Sequence, residues 1–210
     1  RGRMDVTIVD RNNYFVFYPL LVEAGTGSLH PRHAVVSIRE FTGDCAFRMG
    51  EVIDVDMRGQ EVHVEAEETH ERLRIPYDHL VLAPGSVTRL PDVPGLAEHA
   101  YQIKSLGDAV ALRDRAIRLL EAAEATNDPS RRRALMHMVV VGGNYTGVEV
   151  AGEFHVFLRE ACREFPSLDR DEVRVTLVEI ADRILPALDE DLAGYAAERM
   201  RRRGIDIRLG

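Results

Sequence analysis

The chain has 210 residues, of which 45% are hydrophobic and 30% are charged, and it carries a formal net charge of −8. These values suit one globular domain or two modest ones, and the negative charge argues against a nucleic acid partner, because nucleic acid binders concentrate positive charge. No apolar run approaches the roughly 18 residues of a membrane span, and no secretory pattern opens the chain, so we expect a cytoplasmic protein.

The first half of the chain is dominated by strand patterns. Residues 4–10 predict a buried parallel strand, and the aromatic, glycine-containing stretch 12–27 follows without a regular pattern. Residues 34–41 predict a short helix. From 46 to 75 apolar and polar residues alternate, with a turn at 58–60, which predicts an antiparallel meander.

The middle of the chain returns to a strand and then enters a long helix. The segment "YDHLVLAPGS" (77–86) predicts a buried strand that ends at Ala83-Pro84-Gly85. Ser105 and Asp108 form a capping-box pattern in front of a helix predicted over 109–125. The apolar residues of that helix recur on one face, so we expect that face to pack on a core.

The last third of the chain alternates strands and helices. The sequence predicts a strand over 138–141, a helix from 145 to about 165 and a strand that ends at Glu179. A helix over 189–203 follows, and Gly204 suits its cap before a further strand. Because strand and helix alternate at this spacing, the fold class is α/β, with parallel, doubly wound sheets.

The segment "VVVGGNYTGVEVAGEF" (139–154) has the outline of a dinucleotide-binding turn, G-x-G-x-x-G. Gly142 permits the tight turn, and Gly147 lets the helix pack close to the strand. The amides at the helix start can then face a pyrophosphate, assisted by the helix dipole. Strand, turn, helix and second strand stand in the expected order, which favours a dinucleotide site over a merely structural turn.

Glu179 closes the second strand of this unit, where a carboxylate accepts hydrogen bonds from an adenosine ribose. A carboxylate at this position repels a 2′-phosphate and favours NADH over NADPH. Arg183 works against that inference, because an arginine can accept such a phosphate. We predict NADH.

Asn144 stands where the middle glycine of the pattern is expected. Asparagine tolerates a left-handed backbone, and its side-chain amide can donate a hydrogen bond. We therefore expect the loop to keep its turn but to shift or weaken its contact with the phosphates.

Asp10 closes the first strand as Glu179 closes the later one, which predicts a second ribose-binding acid. The glycine loop of such a unit is expected roughly 20 residues upstream. Only nine residues precede Asp10, and the chain ends at Gly210, one strand into the later unit. We therefore expect a fragment that is truncated at both ends.

Four segments together resemble type II NADH dehydrogenases, the non-electrogenic NADH:quinone oxidoreductases. They are "NYFVFYPLLVEAGTGSL", "YDHLVLAPGS", "RRRALMHMVVVGGNYTGVEVAGEF" and "VTLVEIADRILP". The Pro-Leu-Leu and Val-Glu-x-Ala-Gly-Glu stretches are the most specific, and the similarity covers nearly the whole chain. The resemblance implies two incomplete Rossmann-like domains: an FAD-binding domain over 1–107, whose glycine loop is missing, and an NAD-binding domain over 108–210.

The resemblance also implies which residues hold the two cofactors. For FAD they are Asp10, Arg11, Pro19, Leu20, Val52, Ala83 and Gly85. For NADH they are Gly142, Gly143, Asn144, Thr146, Gly147 and Glu179. Glu149, one turn into the helix, is implied to be catalytic on the nicotinamide side of the flavin, where it influences hydride geometry or proton supply. A surface carboxylate that stabilises the helix N-terminus explains Glu149 about equally well.

The implied reaction is hydride transfer from NADH to FAD, followed by electron transfer to a quinone or another small acceptor. The resemblance further implies a homodimer and peripheral contact with the inner face of the cell membrane, through C-terminal helices that the chain lacks. By itself, the 210-residue chain is expected to bind FAD poorly and to be inactive.

Two alternatives stay open. One is another flavoprotein of the same architecture, either a ferredoxin-type or a sulfide:quinone reductase. The sulfide enzyme needs reactive cysteines beside the flavin, whereas Cys45 and Cys162 form no close pair and Cys162 lies near a helix end. The other is a redox-sensing module that binds nucleotide without turnover, which Asn144 favours. The histidines lack zinc spacing and the acidic run 189–191 lacks further calcium ligands, so no metal site is predicted.

Overall fold

The computed structural model describes residues 4–210. Its strands are β1 (Thr7–Asp10), β2 (Tyr14–Val16), β3 (Val35–Ser37), β4 (Ala46–Met49), β5 (Glu51–Asp56), β6 (Glu61–Glu65), β7 (Arg72–Pro76), β8 (His137–Val141), β9 (Arg174–Glu179) and β10 (Asp206–Leu209). Its α-helices are α1 (Leu21–Thr26), α2 (Ile38–Phe41), α3 (Leu96–His99), α4 (Leu106–Ala125), α5 (Pro129–Leu135), α6 (Tyr145–Ala161) and α7 (Glu190–Arg202). Within the described residues, no helix has both the length and the apolarity that a bilayer span requires.

The chain divides into two compact units. The first contains the chain up to Phe17 together with Arg32–Pro91, and the second contains Tyr18–Pro31 and Asp92–Gly210. The mixture of parallel and antiparallel sheets with helices confirms the predicted α/β fold class. The assignment of residues 1–107 to FAD and of 108–210 to NADH stays a prediction.

Three small sheets form the first unit. β1 pairs with β4 in parallel, β2 pairs with β3 antiparallel, and β5, β6 and β7 form an antiparallel meander. Val62 and Val64 of the central strand β6 are buried, because alternate residues of a strand point to the same face. The predicted meander is therefore confirmed for β5–β7, but β4 was wrongly included in it.

The helix predicted over 34–41 is wrong over its middle. Ala34 ends a 3-10 helix and Ile38–Phe41 are α-helical, but Val35–Ser37 form β3 instead. Paired β-branched valines favour an extended backbone, and β2 supplies the partner for their hydrogen bonds. The opening strand also begins later than predicted, at Thr7, and Met4 and Val6 are exposed.

The strand predicted within 77–85 is also wrong. The segment has no regular secondary structure, and it forms no ladder with any other part of the described chain. Val81 and Leu82, which the pattern places in a core, are 87% and 65% exposed. An apolar run needs neighbouring strands to accept and donate its backbone hydrogen bonds before it becomes a strand.

The second unit is built on a parallel sheet with the order β10-β9-β8. α6 connects β8 to β9 and α7 connects β9 to β10, as the alternating pattern predicts. Val175 and Leu177 of the central strand are buried with Phe154 of α6 in one hydrophobic core. This core holds β8, β9 and the first turn of α6 together, and so it fixes the loop that joins them.

Two helices precede the sheet. α4 begins with the predicted capping box: Ser105 Oγ accepts the N–H of Asp108 at 3.1 Å, and Asp108 Oδ2 accepts the N–H of Ser105 at 2.8 Å. α5 was not predicted from the sequence. Its signals are the Asp128 cap, whose Oδ1 accepts the N–H of Ser130 at 2.8 Å, and Pro129 in the first turn.

Candidate dinucleotide-binding site

The loop between β8 and α6 lies at the carboxyl end of the parallel sheet in the second unit. It begins at Gly142, whose φ of +105° is a backbone conformation that favours glycine. The N–H of Gly142 donates to the carbonyl oxygen of Val178 at 2.8 Å, so the turn is anchored to β9. Ligands of open parallel sheets bind at this end, outside the strands.

Gly147 permits the close approach of α6 to the end of β8. A Cβ atom added to Gly147 would lie 1.8 Å from the carbonyl oxygen of Gly142, far inside van der Waals contact. Gly143 is also confined, since an added Cβ would lie 3.0 Å from both Glu179 Cβ and Ile184 Cγ2. The inner side of the loop therefore has room for backbone atoms but not for side chains at Gly143 and Gly147.

Glu179 ends β9 and is held by the loop itself. Its Oε2 accepts the N–H of Gly143 at 2.5 Å, and its Oε1 accepts the N–H of Ala181 at 2.9 Å. These two backbone donors, Ala181 first and then Gly143, hold the pKa of the Glu179 carboxyl below its ordinary value. Each oxygen keeps a free lone pair, so the fixed carboxylate can still accept hydrogen bonds from hydroxyl groups.

Asn144 is not left-handed, and the expectation of such a backbone is wrong. Its φ of −77° and ψ of −174° are extended, and its Oδ1 accepts the N–H of Gly147 at 3.0 Å. Asn144 is thus the N-cap of α6, a position where an extended backbone and a side-chain acceptor are preferred. The side chain accepts a hydrogen bond here and does not donate the one that was predicted. Thr146 is exposed on the first turn of the helix.

The segment after β9 completes the loop through a contact that the sequence does not predict. The N–H of Leu185 donates to the carbonyl oxygen of Gly143 at 2.6 Å, and Ile184 is buried against the same glycine. Both residues lie in the "ADRILP" part of a segment that carries the resemblance, which was the only available signal. Nothing in a single sequence shows which backbone atom they contact.

Glu149 is exposed on α6, one turn beyond the cap. Partial burial of its carboxyl raises its pKa above the ordinary value, and the nearby charge of Glu23 raises it further. Glu23 lies on α1, which packs against α6. Pro19 and Leu20 form a 3-10 turn directly before α1, where Pro19 is exposed and Leu20 is half-buried.

In the first unit, the predicted FAD residues lie at three places. Asp10 and Arg11 are exposed together at the carboxyl end of β1, and Asp10 Oδ1 accepts the N–H of Asn12 at 2.8 Å. Val52 is exposed on β5. Ala83 and Gly85 lie in the segment that forms no strand, with Gly85 at a φ of +73°.

The cysteines give little support to thiol chemistry. Cys162 is buried just after α6, and burial raises the pKa of its thiol, which disfavours the reactive thiolate. In the part of the chain from residue 4 onward, no group of three or more histidine, cysteine, aspartate or glutamate side chains could hold a metal ion.

Comparisons with known proteins agree with this geometry. The family model of the pyridine nucleotide-disulphide oxidoreductases matches residues 1–210. An Arabidopsis thaliana protein named external alternative NAD(P)H-ubiquinone oxidoreductase B2, mitochondrial, is 32% identical over 219 residues, which cover 100% of this chain and 38% of the relative. A Yarrowia lipolytica protein named external alternative NADH-ubiquinone oxidoreductase, mitochondrial, is 32% identical over 200 residues, 91% of this chain and 34% of the relative.

Solved structures show the same similarity. NDH2 from Plasmodium falciparum, in complex with NADH, superposes with a TM-score of 0.87 at 27% identity, over 98% of this chain and 43% of that chain. The sulfide:quinone oxidoreductase of Aquifex aeolicus, at 16% identity and a TM-score of 0.70 over 98% of this chain and 44% of that one, shares the fold. This chain spans less than half the length of these relatives.

Proposed function

Because the chain belongs to the pyridine nucleotide-disulphide oxidoreductase family, we propose that it forms part of an FAD-dependent NADH dehydrogenase that passes electrons to a quinone. The observation that carries the proposal is the glycine turn closed onto the Glu179 carboxylate at the end of the parallel sheet. The relatives named NAD(P)H-ubiquinone oxidoreductases, and the NADH complex of a similar structure, support the choice of substrate and acceptor.

NADH fits the site of the second unit. Helix geometry leaves the first N–H groups of α6 without intrahelical partners, and Asn144 uses that of Gly147. The amides of Tyr145 and Thr146 are then available to the pyrophosphate, whose charge the helix dipole favours. Gly142 and Gly143 allow close approach, and Glu179 accepts the ribose hydroxyls.

The geometry favours NADH over NADPH. Glu179 is fixed as a carboxylate where an adenosine ribose ends, and a 2′-phosphate there would meet a like charge. Arg183, whose Nη2 donates to the carbonyl oxygen of Pro186 at 3.1 Å, keeps its positive charge and reduces this preference without removing the carboxylate. We therefore expect the phosphorylated coenzyme to bind more weakly.

The residues of the first unit fit an adenosine ribose of FAD. The N–H of Asn12 fixes one oxygen of Asp10 at the end of β1 and leaves the other to accept a ribose hydroxyl, with Arg11 beside it. When bound, FAD supplies the two-electron chemistry, and the protein supplies position. Pro19, Leu20, Val52, Ala83 and Gly85 complete the proposed FAD contacts, and Glu149 is the proposed catalytic group.

The acceptor we propose is a quinone, and quinones reside in membranes. The full-length protein is therefore proposed to touch the inner face of the cell membrane peripherally, through C-terminal segments outside these 210 residues. A homodimer is part of the same proposal. Gel filtration with light scattering and a liposome flotation assay on the full-length protein test both points.

Anaerobic stopped-flow mixing of the full-length flavoprotein with NADH tests the reaction. We expect NADH to bleach the flavin absorbance and a soluble ubiquinone analogue to restore it. Glu179→Ala is expected to raise the rate with NADPH relative to NADH, because the like charge is removed. Failure of NADH to reduce the flavin in the wild-type protein would overturn the proposal.

A second candidate function, dinucleotide sensing without turnover, rests on one observation. Asn144 places a side chain in the loop and occupies the N–H of Gly147. If sensing is the function, wild-type protein binds NADH but does not reduce its flavin, and Asn144→Gly gains flavin reduction. Flavin reduction by wild-type protein at a rate that supports turnover excludes this candidate.

A further inference from the structure

Leu185 has a backbone conformation that a large side chain rarely adopts. Its φ of +51° lies in the left-handed region, and its side chain is buried, with 5% of the residue surface exposed. Gly142 also has a positive φ, but glycine adopts that conformation without strain. A left-handed leucine persists only where its surroundings hold it, and strained residues of this kind cluster at ligand sites. The contacts of Leu185 therefore point to a role besides packing.

The N–H of Leu185 is directed at the glycine loop. It donates to the carbonyl oxygen of Gly143 at 2.6 Å, and the N–H of Leu188 donates to the carbonyl oxygen of Leu185 at 2.9 Å, which closes a turn behind it. Ile184 is 1% exposed and packs on the same glycine, since a Cβ atom added to Gly143 would lie 3.0 Å from Ile184 Cγ2. Segment 184–188 is therefore fastened to the loop.

Both polar groups of the Gly143 backbone are held by the chain from the end of β9 onward. Its N–H donates to Glu179 Oε2 at 2.5 Å, and its carbonyl oxygen accepts from Leu185. No peptide bond in the described chain is cis. In a trans peptide, a carbonyl group and the N–H of the next residue point in opposite directions. Because the Gly143 carbonyl faces Leu185, the N–H of Asn144 must face away from it.

The N–H of Asn144 is thus the donor whose direction Leu185 determines. It has no acceptor within residues 4–210, whereas the N–H of Gly143 is taken by Glu179 and that of Gly147 by the Asn144 side chain. It lies directly before the first turn of α6, where free amides and the helix dipole favour a phosphate group.

We propose that Leu185 is a positioning residue for NADH: its left-handed turn holds the Gly143 carbonyl, so that the N–H of Asn144 is aimed at the pyrophosphate before the coenzyme binds. The proposal rests on the proposed function, because it concerns the same NADH site. A donor that is already in place spares the coenzyme the cost of ordering the loop. Leu185 touches no reacting atom, so its effect is on NADH affinity and not on hydride transfer.

Leu185→Ile changes the backbone preference and keeps an apolar side chain of the same size. The branched Cβ of isoleucine disfavours a positive φ, so the hydrogen bond to Gly143 should be lost. We expect the NADH dissociation constant of the full-length flavoprotein to rise about tenfold, the effect of one hydrogen bond to a charged group. The rate of flavin reduction at saturating NADH should stay close to that of wild type. Anaerobic stopped-flow over a range of NADH concentrations measures both quantities.

A hydride donor without phosphate separates positioning from general damage to the fold. 1-Benzyl-1,4-dihydronicotinamide carries the nicotinamide ring but no pyrophosphate. It should therefore reduce the flavin of wild type and of Leu185→Ile at the same rate. A damaged fold would slow flavin reduction by both donors.

Further variants separate the backbone of Leu185 from its side chain. Leu185→Gly loses the buried side chain but adopts a positive φ without strain, so it should bind NADH more tightly than Leu185→Ile. Leu185→Met keeps an unbranched side chain of similar volume and should bind NADH nearly as tightly as wild type. The matched control is Leu168→Ile, which makes the same change at a buried leucine without a positive φ and should leave NADH binding unchanged.

Three results would overturn the Leu185 proposal while the dehydrogenase proposal stands. They are wild-type NADH affinity in Leu185→Ile, slower flavin reduction by both hydride donors, and an NADH affinity of Leu185→Gly no higher than that of Leu185→Ile. If the wild-type protein itself binds no NADH, the proposed function is overturned and the Leu185 proposal falls with it.

Discussion

At the scale of single residues, the loop between β8 and α6 depends on glycine, because glycine has no Cβ atom. Gly147 approaches the carbonyl oxygen of Gly142 so closely that no side chain fits between them. Glu179 then uses the N–H of Gly143, and Asn144 uses the N–H of Gly147. The loop is therefore held by backbone groups and two side-chain acceptors, each of which a single substitution removes.

Gly147→Ala should disrupt this contact. The new Cβ would meet the Gly142 carbonyl oxygen at 1.8 Å, so α6 must move away from β8, at a cost of about 3 kcal/mol in the free energy of unfolding. We also expect NADH binding to be lost, because the amides of the helix start move with it. Urea unfolding and an NADH titration of the full-length protein measure the two effects.

Gly152→Ala is the matched control on the same helix. An added Cβ at Gly152 meets no atom within 4 Å. Alanine is the better helix former, so this variant should gain up to about 1 kcal/mol and bind NADH normally. Equal losses of stability in the two variants would show that the close contact with Gly142 is not what requires glycine at position 147.

Glu179→Gln should destabilise the protein in a pH-dependent way. The amide group of glutamine can accept only one of the two N–H bonds, so we expect a loss of about 1 kcal/mol at neutral pH. The pKa of Glu179 is lowered in the folded state, so its stabilisation is complete above the pKa of an unfolded glutamate. That stabilisation is lost as the pH falls through the folded-state pKa, where wild type and variant should converge.

Urea unfolding at a series of pH values measures this convergence. Asp182→Asn, which removes an exposed carboxylate three residues later, is the control and should stay close to wild type throughout. A constant difference between Glu179→Gln and wild type down to the lowest pH would contradict an ionised Glu179 as the cause.

At the scale of elements, hydrogen bonds at the helix ends decide where helices begin. α4 begins at a reciprocal capping box, α5 at Asp128, and α6 at Asn144. Each cap satisfies N–H groups that have no partner inside the helix. For α6 the cap also determines which amides remain for a ligand, so the start of this helix matters both for the fold and for the proposed NADH site.

The capping box of α4 should behave as one unit. Ser105→Ala and Asp108→Ala each remove one partner and should lower the free energy of unfolding by about 1 kcal/mol. Each bond depends on the geometry that the other imposes. The loss in free energy of unfolding of the double variant should therefore be smaller than the sum of the two single losses, by about 0.5 kcal/mol or more. Urea unfolding of the four proteins measures the coupling, and strict additivity would mean that the two bonds act independently.

At the scale of the whole molecule, the two units differ in how many hydrophobic side chains they bury. The second unit contains a continuous hydrophobic core and a closed glycine loop. The first unit has three small sheets, and its residues 77–85 lack strand partners in the described chain. The chain also spans only 38% of its Arabidopsis relative. We therefore expect the 210 residues by themselves to bind NADH and FAD with different affinities.

The isolated 210-residue chain is expected to bind NADH while failing to retain FAD. The proposed NADH loop lies wholly within the second unit, whereas residues 1–9 contain no G-x-G-x-x-G pattern. Desalting after incubation with excess FAD, followed by an absorbance spectrum, measures retained flavin, and a fluorescence titration measures NADH. Recovery of a stoichiometric yellow complex would contradict the expected loss of FAD. Absence of NADH binding would contradict the expected binding of NADH.

The sequence by itself determined the features that depend on neighbours along the chain. The parallel strands around Val140 and Leu177, the capping box at Ser105 and the glycine turn at 142–147 follow from local periodicity and local backbone conformation. The family was indicated by the resemblance of four sequence segments, and the family model that matches residues 1–210 shows it. Even Asn144 was recognised as compatible with the turn, although by the wrong backbone conformation.

Only the tertiary structure decided the features that depend on distant partners. Strand β4 pairs with β1 and not with the meander, the 77–85 segment has no ladder, and Leu185 reaches back to Gly143. The charge of Glu23 contributes to the raised pKa of Glu149, although the two residues are far apart in the sequence. A hydrophobic pattern shows that a residue must be buried, but only the tertiary structure decides which residues pack against it. The same holds for the charges that surround a carboxyl group.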